Sequence, residues 1–142
     1  MLLPELREYM NRSFQIKTSA RNQFVDITGR VRDVIAESGV VEGLCCVYVP
    51  HTTAAVTINE NADPTVPADI LKRLEILSPL AGDYRHSEGN SDAHIKAVLV
   101  GSSVNISVTG GQADLGTWQG VFFCEFDGPR KRTVSVKIIS CC

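Results

Sequence analysis

No apolar run in this chain is long enough to cross a bilayer, and Met1-Leu2-Leu3-Pro4-Glu5 turns polar too soon to act as a secretion signal. A basic tract is missing as well. The 14 Lys and Arg are scattered among 16 Asp and Glu, for a net charge of −2. Such a surface has little with which to follow a phosphate backbone, so neither nucleic acid nor a membrane is an expected partner. C-x-x-C, a Walker loop, a G-x-S-x-G elbow and G-x-G-x-x-G are all absent, which removes the usual dithiol, nucleotide-phosphate, serine-nucleophile and dinucleotide signatures. The five cysteines, with no export signal, are expected to stay free thiols in a reducing cytoplasm. Adjacent pairing within Cys45-Cys46 or Cys141-Cys142 is sterically poor. Cys45, Cys46 and Cys124 lie in apolar runs and read as buried space-fillers, and Cys141-Cys142 as a frayed tail.

What is present is enough for one folded domain. Hydrophobic residues make up 44% of the 142, so a real core is expected and disorder is not. We take residues 1–142 as a single domain without linker or repeat, with 1–12 as an N-terminal extension and 140–142 as a tail. Pro4, Glu5, Arg7, Glu8 and Arg12 leave that first segment little apolar face.

Alternation in Phe14-Gln15-Ile16 and Phe24-Val25-Asp26-Ile27 predicts two strands, joined as a hairpin through Ala20-Arg21-Asn22. Thr28 as N-cap, Val31, Val34 and Ile35 on one face, and Ser38-Gly39 as the stop predict a short helix. Leu44 to Val49 reads as a central strand and Ala54 to Ile58 as another. Pro64 and Pro67 open a second helix, with Val66, Ile70, Leu74 and Leu77 along one face. After a polar loop from Gly82 to Gly89, Asn90 or Ser91 caps a third helix that runs to about Val100. Val104–Val108, Val121–Phe126 and Val134–Ile139 are strands set off by Thr109-Gly110-Gly111-Gln112 and Asp127-Gly128-Pro129-Arg130. The class is α+β: a mostly antiparallel sheet or sandwich with about three short helices.

Chemistry gathers at few places. His86, Asn90 and His94 are spaced i, i+4, i+8, a single stripe if one helix carries all three. Gly89 favours a helix that begins only near Asn90, with His86 in the loop before it. Either arrangement can bring the two imidazoles together. With His51 as third donor they suggest an open three-histidine zinc-type site, and the competing reading is a set of hydrogen-bonded polar residues. Glu60, at the end of an apolar strand, is a candidate general base or Mg²⁺ ligand, or a solvated loop carboxylate. Trp118 and Gln119 lie between Gly116 and Gly120, where the indole can stack on a planar ring or fill the core. Glu125 shares a strand face with Phe123, so it either meets solvent or has a function. Arg130, Lys131 and Arg132 follow a tight turn and can bind phosphate or form a solvated hairpin.

Five segments occur in one order: His51-Thr52-Thr53, Asn59-Glu60-Asn61-Ala62-Asp63-Pro64, Glu88-Gly89-Asn90-Ser91-Asp92-Ala93-His94, Leu115-Gly116-Thr117-Trp118-Gln119-Gly120 and Glu125-Phe126-Asp127-Gly128-Pro129-Arg130. Together they resemble the YjbQ-like family, often labelled secondary thiamine-phosphate synthase. The resemblance spans about Thr18 to Ile139. It implies a homotrimer with polar residues near the subunit contacts, and a histidine-lined site to which His51, His86 and His94 correspond, as metal ligands for zinc or magnesium and, with Glu60, as the catalytic set. Thr52, Asn59, Asn90, Trp118, Gln119, Glu125 and Arg130 would contact a phosphorylated small-molecule ligand. The implied activity is weak joining of a pyrimidine pyrophosphate to a thiazole phosphate. The alternatives are a metal-dependent hydrolase or lyase on the same residues, and a metal- or ligand-binding trimer without turnover.

Overall fold

The computed structural model describes residues 9–141. Along the chain these form β1 (Tyr9–Lys17), β2 (Gln23–Asp26), α1 (Thr28–Ser38), β3 (Gly43–Tyr48), β4 (Ala54–Glu60), α2 (Thr65–Leu77), α3 (Ser91–Val100), β5 (Ser103–Thr109), β6 (Gln112–Ala113), β7 (Gln119–Glu125) and β8 (Lys131–Ser140). The strands make two antiparallel sheets, one of five in the order β1-β8-β3-β5-β6 and one of three in the order β2-β7-β4. The α+β class, its three helices and its antiparallel pairing agree with the sequence reading. No helix among the described residues is long and apolar enough to cross a membrane.

Residue periodicity explains the layering. On β8, Val134, Val136 and Ile138 point inward beside Cys45 and Val47 of β3 and Ile106 and Val108 of β5. The alternate residues Leu44, Tyr48 and Ile139 face outward. The small sheet closes this core from the other side with Val56, Val121 and Phe123, and Val31, Val34 and Ile35 of α1 fill its flank. Strand β7 is buried on both faces. Phe122 and Cys124, pointing away from the main core, are covered by Leu71 and Leu74 of α2 and Ala97 and Val100 of α3. A fully buried side chain such as Phe123 contributes about 1.5–3 kcal/mol.

Four local expectations are corrected. Strands β1 and β2 are not a hairpin: β1 pairs with β8 and β2 with β7, so the chain passes between sheets at Ala20-Arg21-Asn22. Thr28 is not the cap of α1; its hydroxyl and its N–H both donate to Asp26 Oδ1, and Ile27 holds the cap position. The segment set apart as an extension already contains the start of β1, where Met10 is buried opposite Ile138, because only every second residue needs to be apolar. Ser140 likewise closes β8 rather than opening a tail. Residues 1–8 and Cys142, on which the rest of those two assignments fall, lie outside the described residues. The short strand β6, beyond the glycines at Gly110 and Gly111, had no strand signal of its own.

Candidate functional site

Four connecting segments converge at one end of the sandwich. The turn between β3 and β4 brings His51, Thr52 and Thr53; the link between β1 and β2 brings Arg21; the loop before α3 brings His86 and Glu88; and the turn between β7 and β8 brings Asp127 and Arg130. With Asn90 and His94 at the start of α3 and Arg132 on β8, they line a pocket of about 620 Å³. Helix α3 begins at Ser91, so His86 stays in the loop while His94 sits in the first turn. Their rings meet edge to face, centroids 5.4 Å apart and planes at 82°.

Beneath the pocket floor lies a buried ion pair that ties the sheets together. Glu125 is fully buried and receives Arg132 Nε at 2.9 Å and Nη2 at 2.5 Å, together with the Thr18 hydroxyl at 2.8 Å. It also accepts the backbone N–H groups of Phe126 and Asp127. Arg132 reaches on to the carbonyl and hydroxyl of Thr53, which fixes the turn carrying His51. Five donors on one carboxylate offset the cost of its desolvation. The turn requires Gly128. A Cβ there would stand 2.4 Å from the Ala20 carbonyl and 2.8 Å from Glu125 Cγ. The Gly128-Pro129 peptide is cis.

At the wall, Asp127 is held by three segments at once. Arg21 Nη1 and Arg130 Nη2 each approach it at 3.3 Å, and Asn90 Nδ2 donates to it at 2.9 Å. Asn90 therefore turns its side chain to the pocket and makes no side-chain cap for α3. Arg21 Nη2 donates onward to buried Asp92 at 3.0 Å, and Asp92 pairs with buried Lys96, which also bonds Glu75. Two buried atoms in this wall, Arg21 Nε and Asn90 Oδ1, have no hydrogen-bond partner among the described residues.

Thr133 donates its N–H to His51 Nε2 at 2.9 Å, which requires a lone pair there and puts the neutral ring's proton on Nδ1. Burial first, and then the charge of Arg132, hold the His51 imidazole below its ordinary pKa. His51 is thus a neutral group with one nitrogen engaged. Among the described residues no three His, Cys, Asp or Glu side chains stand close enough to share an ion. His51 Nε2 is already bonded to Thr133, which leaves Nδ1 as the ring's remaining nitrogen.

The expected site residues divide into two groups. His51, Thr52, His86, Asn90, His94 and Arg130 line the pocket, and Glu125 lies directly beneath it. Asn59, Glu60, Trp118 and Gln119 sit at the other end of β4 and β7, where Glu60 pairs with Gln119. That is a strand's length away, about 20 Å. There Gln119 accepts the Gly116 N–H, Asn59 accepts the Glu60 N–H, and Trp118 is 63% exposed. Arg21, Asp127 and Thr53 are pocket residues that sequence reasoning misses, and Arg132 enters it only as part of a cationic cluster. The one hint was that Asp127 and Arg132 flank a tight turn next to Glu125.

Comparison with known proteins gives a consistent answer. The sequence profile described as UPF0047 protein YjbQ-like matches residues 12–141. A UPF0047 protein of Methanocaldococcus jannaschii is 56% identical over 89% of this chain and 91% of its own. UPF0047 protein YugU of Bacillus subtilis is 47% identical over 92% and 99%. Among solved structures, an uncharacterised YjbQ/UPF0047 protein of Clostridium acetobutylicum has a TM-score of 0.89 at 56% identity, covering 90% of this chain and 99% of that one. A protein of unknown function from Sulfolobus solfataricus has a TM-score of 0.90 at 30% identity, covering 93% and 97%.

Proposed function

The chain belongs to the UPF0047 YjbQ-like family, and we propose that it is a small enzyme acting on a phosphorylated small molecule in the histidine pocket, with a reaction of the thiamine-phosphate synthase type. The observation that carries this reading is the convergence of three imidazoles and the partly exposed guanidiniums of Arg21 and Arg130 on one cavity. Joining a pyrimidine to a thiazole phosphate forms a bond from the thiazole ring nitrogen to the pyrimidine's methylene carbon while the bond from that carbon to pyrophosphate breaks, and pyrophosphate leaves with the electron pair. The growing negative charge on the leaving group needs cations and N–H donors, which Arg130, Arg21 and the Nδ1–H of His51 offer. His86 and His94, in contact with each other, are the groups able to move a proton at the pocket mouth.

A zinc or magnesium ion at His86 and His94 would draw its remaining donors from water or from a neighbouring copy. Glu60, Trp118 and Gln119 would likewise reach a pocket only through a neighbouring copy. The homotrimer is therefore part of this proposal. Exposed Ile76 and Leu77 in the last turn of α2, Leu80 just beyond it, and Ile95, Val98 and Leu99 on α3 support an assembly. Light scattering on the purified protein gives its stoichiometry.

The reaction is tested by incubation with the pyrimidine pyrophosphate, the thiazole phosphate and Mg²⁺. Slow formation of thiamine phosphate, lost in His94→Ala, is the expected result. Saturable binding of the phosphate without product would favour the second reading, ligand binding without turnover. The distance of Glu60 from the histidines within one chain speaks for that reading.

A further inference from the structure

The wall of the pocket presents a contradiction for an anion site. Its two partly exposed arginines, Arg21 and Arg130, both point at a carboxylate of the same chain. Asp127 is only 12% exposed, and it collects donors from the β1–β2 link, the start of α3 and its own turn. Those are the donors an incoming phosphate would use: two guanidiniums and an amide N–H. Arg132, the third guanidinium of the lining, is already taken by Glu125. With Asp127 in place, and with Arg21 also paired to Asp92, almost no uncompensated positive charge is left in the wall.

We propose that Asp127 is an internal anion that occupies the seat of the ligand's phosphate and sets the specificity of the pocket by competing for it. The inference rests on the phosphate-binding reading above and says how that binding is limited. A ligand gains Arg21, Arg130 and Asn90 only by displacing the Asp127 carboxylate. Displacement also frees the Asn90 amide to turn, so that its unpartnered Oδ1 can find a donor; the unpartnered Nε–H of Arg21 likewise gains access to an acceptor. The competition works against a lone, weakly held anion. It favours a ligand whose remaining groups make up for moving the carboxylate, such as a phosphate ester with a body large enough to fill the rest of the cavity.

Inorganic phosphate is the probe, with affinity measured by calorimetry on the full chain for wild type, Asp127→Asn, Asp127→Ser and Arg130→Gln. Removing the competing charge is expected to tighten phosphate binding on the order of tenfold in both Asp127 variants, while Arg130→Gln weakens it. This is the reverse of what loss of a ligand-contacting acceptor would do. If both Asp127 variants keep the wild-type melting temperature yet bind phosphate no more tightly than wild type, the proposal is wrong. Should Asp127→Asn fail to fold, Asp127→Ser and the wild type carry the comparison. If neither variant folds, Asp127 is a structural residue and the proposal falls. Absence of phosphate binding in the wild type and every folded variant would remove the anion reading itself, a result distinguishable from binding that Asp127 does not affect.

Discussion

At the Ala54–Glu125 end of β4 and β7, the buried Glu125 carboxylate is bonded to two distant segments of the chain, at Thr18 and Arg132; at the Glu60–Gln119 end, the polar side chains are partly or fully exposed and bonded mostly to their neighbours in sequence. The two ends carry motifs of equal weight in the sequence. They differ in what their groups do for the chain itself. The first organises the fold around a pocket; the second leaves the Trp118 indole exposed and the Glu60 carboxylate without a hydrogen bond among the described residues.

Breaking the ion pair should have the largest effect. Arg132→Met leaves Glu125 buried without its charge partner and should destabilise the protein by about 3–5 kcal/mol, read by urea unfolding. Glu60→Gln and Trp118→Ala should each change monomer stability by no more than about 0.5 kcal/mol. A collapse of the fold in either would erase the distinction between the two ends.

Next in size is the histidine pair. The His86→Ala/His94→Ala double variant should lose at least about tenfold in ligand affinity while keeping its fold, a loss of about 1.4 kcal/mol. Any divalent ion carried stoichiometrically by the wild type should vanish from it in elemental analysis. Retention of the ion would place its ligands elsewhere.

A smaller effect concerns His51. Its folded pKa is lowered, so the unfolded chain takes up the proton more readily. The contribution to stability is present above the ordinary histidine pKa of about 6.5 and is lost as pH falls through that value to the lower folded one. Unfolding measured across this range should show a slope in wild type that is absent in His51→Asn. Equal slopes would mean that another group titrates.

The smallest perturbation is chemical. Burial, followed by the neighbouring Cys46, pushes the Cys45 thiol up to about 12, and burial raises that of Cys124. Alkylation of the native protein should therefore mark exposed Cys141 well before either, as followed by mass spectrometry of the peptides. Early labelling of Cys124 would show that the contact between the small sheet and helices α2 and α3 opens readily.

Local patterns carried much of this structure. The alternation in Val134–Ile139 and the apolar run at Leu44–Val49 are strands because burial on one or both faces leaves a periodic trace. The break at Gly89 correctly separates His86 from the helix bearing His94. Partner choice left no such trace. Ile16 and Val25 look like two halves of a hairpin, yet they belong to different sheets, because their partners Arg132 and Phe123 come more than 90 residues later. The same holds in the site. Asp127 reads as a turn former and Arg132 as a solvated cation until the distant Arg21, Asn90 and Glu125 are placed beside them. Glu125, by contrast, was marked by its position on the face of Phe123, since a carboxylate there needs a reason.

Strand β8 is the last strand of the described chain, and yet it lies inside the large sheet between β1 and β3. During synthesis, a chain that has not yet delivered β8 has two unpaired edges where the sheet should be continuous. It also lacks Arg132 beneath Glu125 and the Thr133 amide on His51. The pocket therefore cannot be assembled before the sheet closes, and a chain that ends before β8 leaves sheet edges able to pair with other chains. Closing the sheet and completing the site therefore both depend on the same strand.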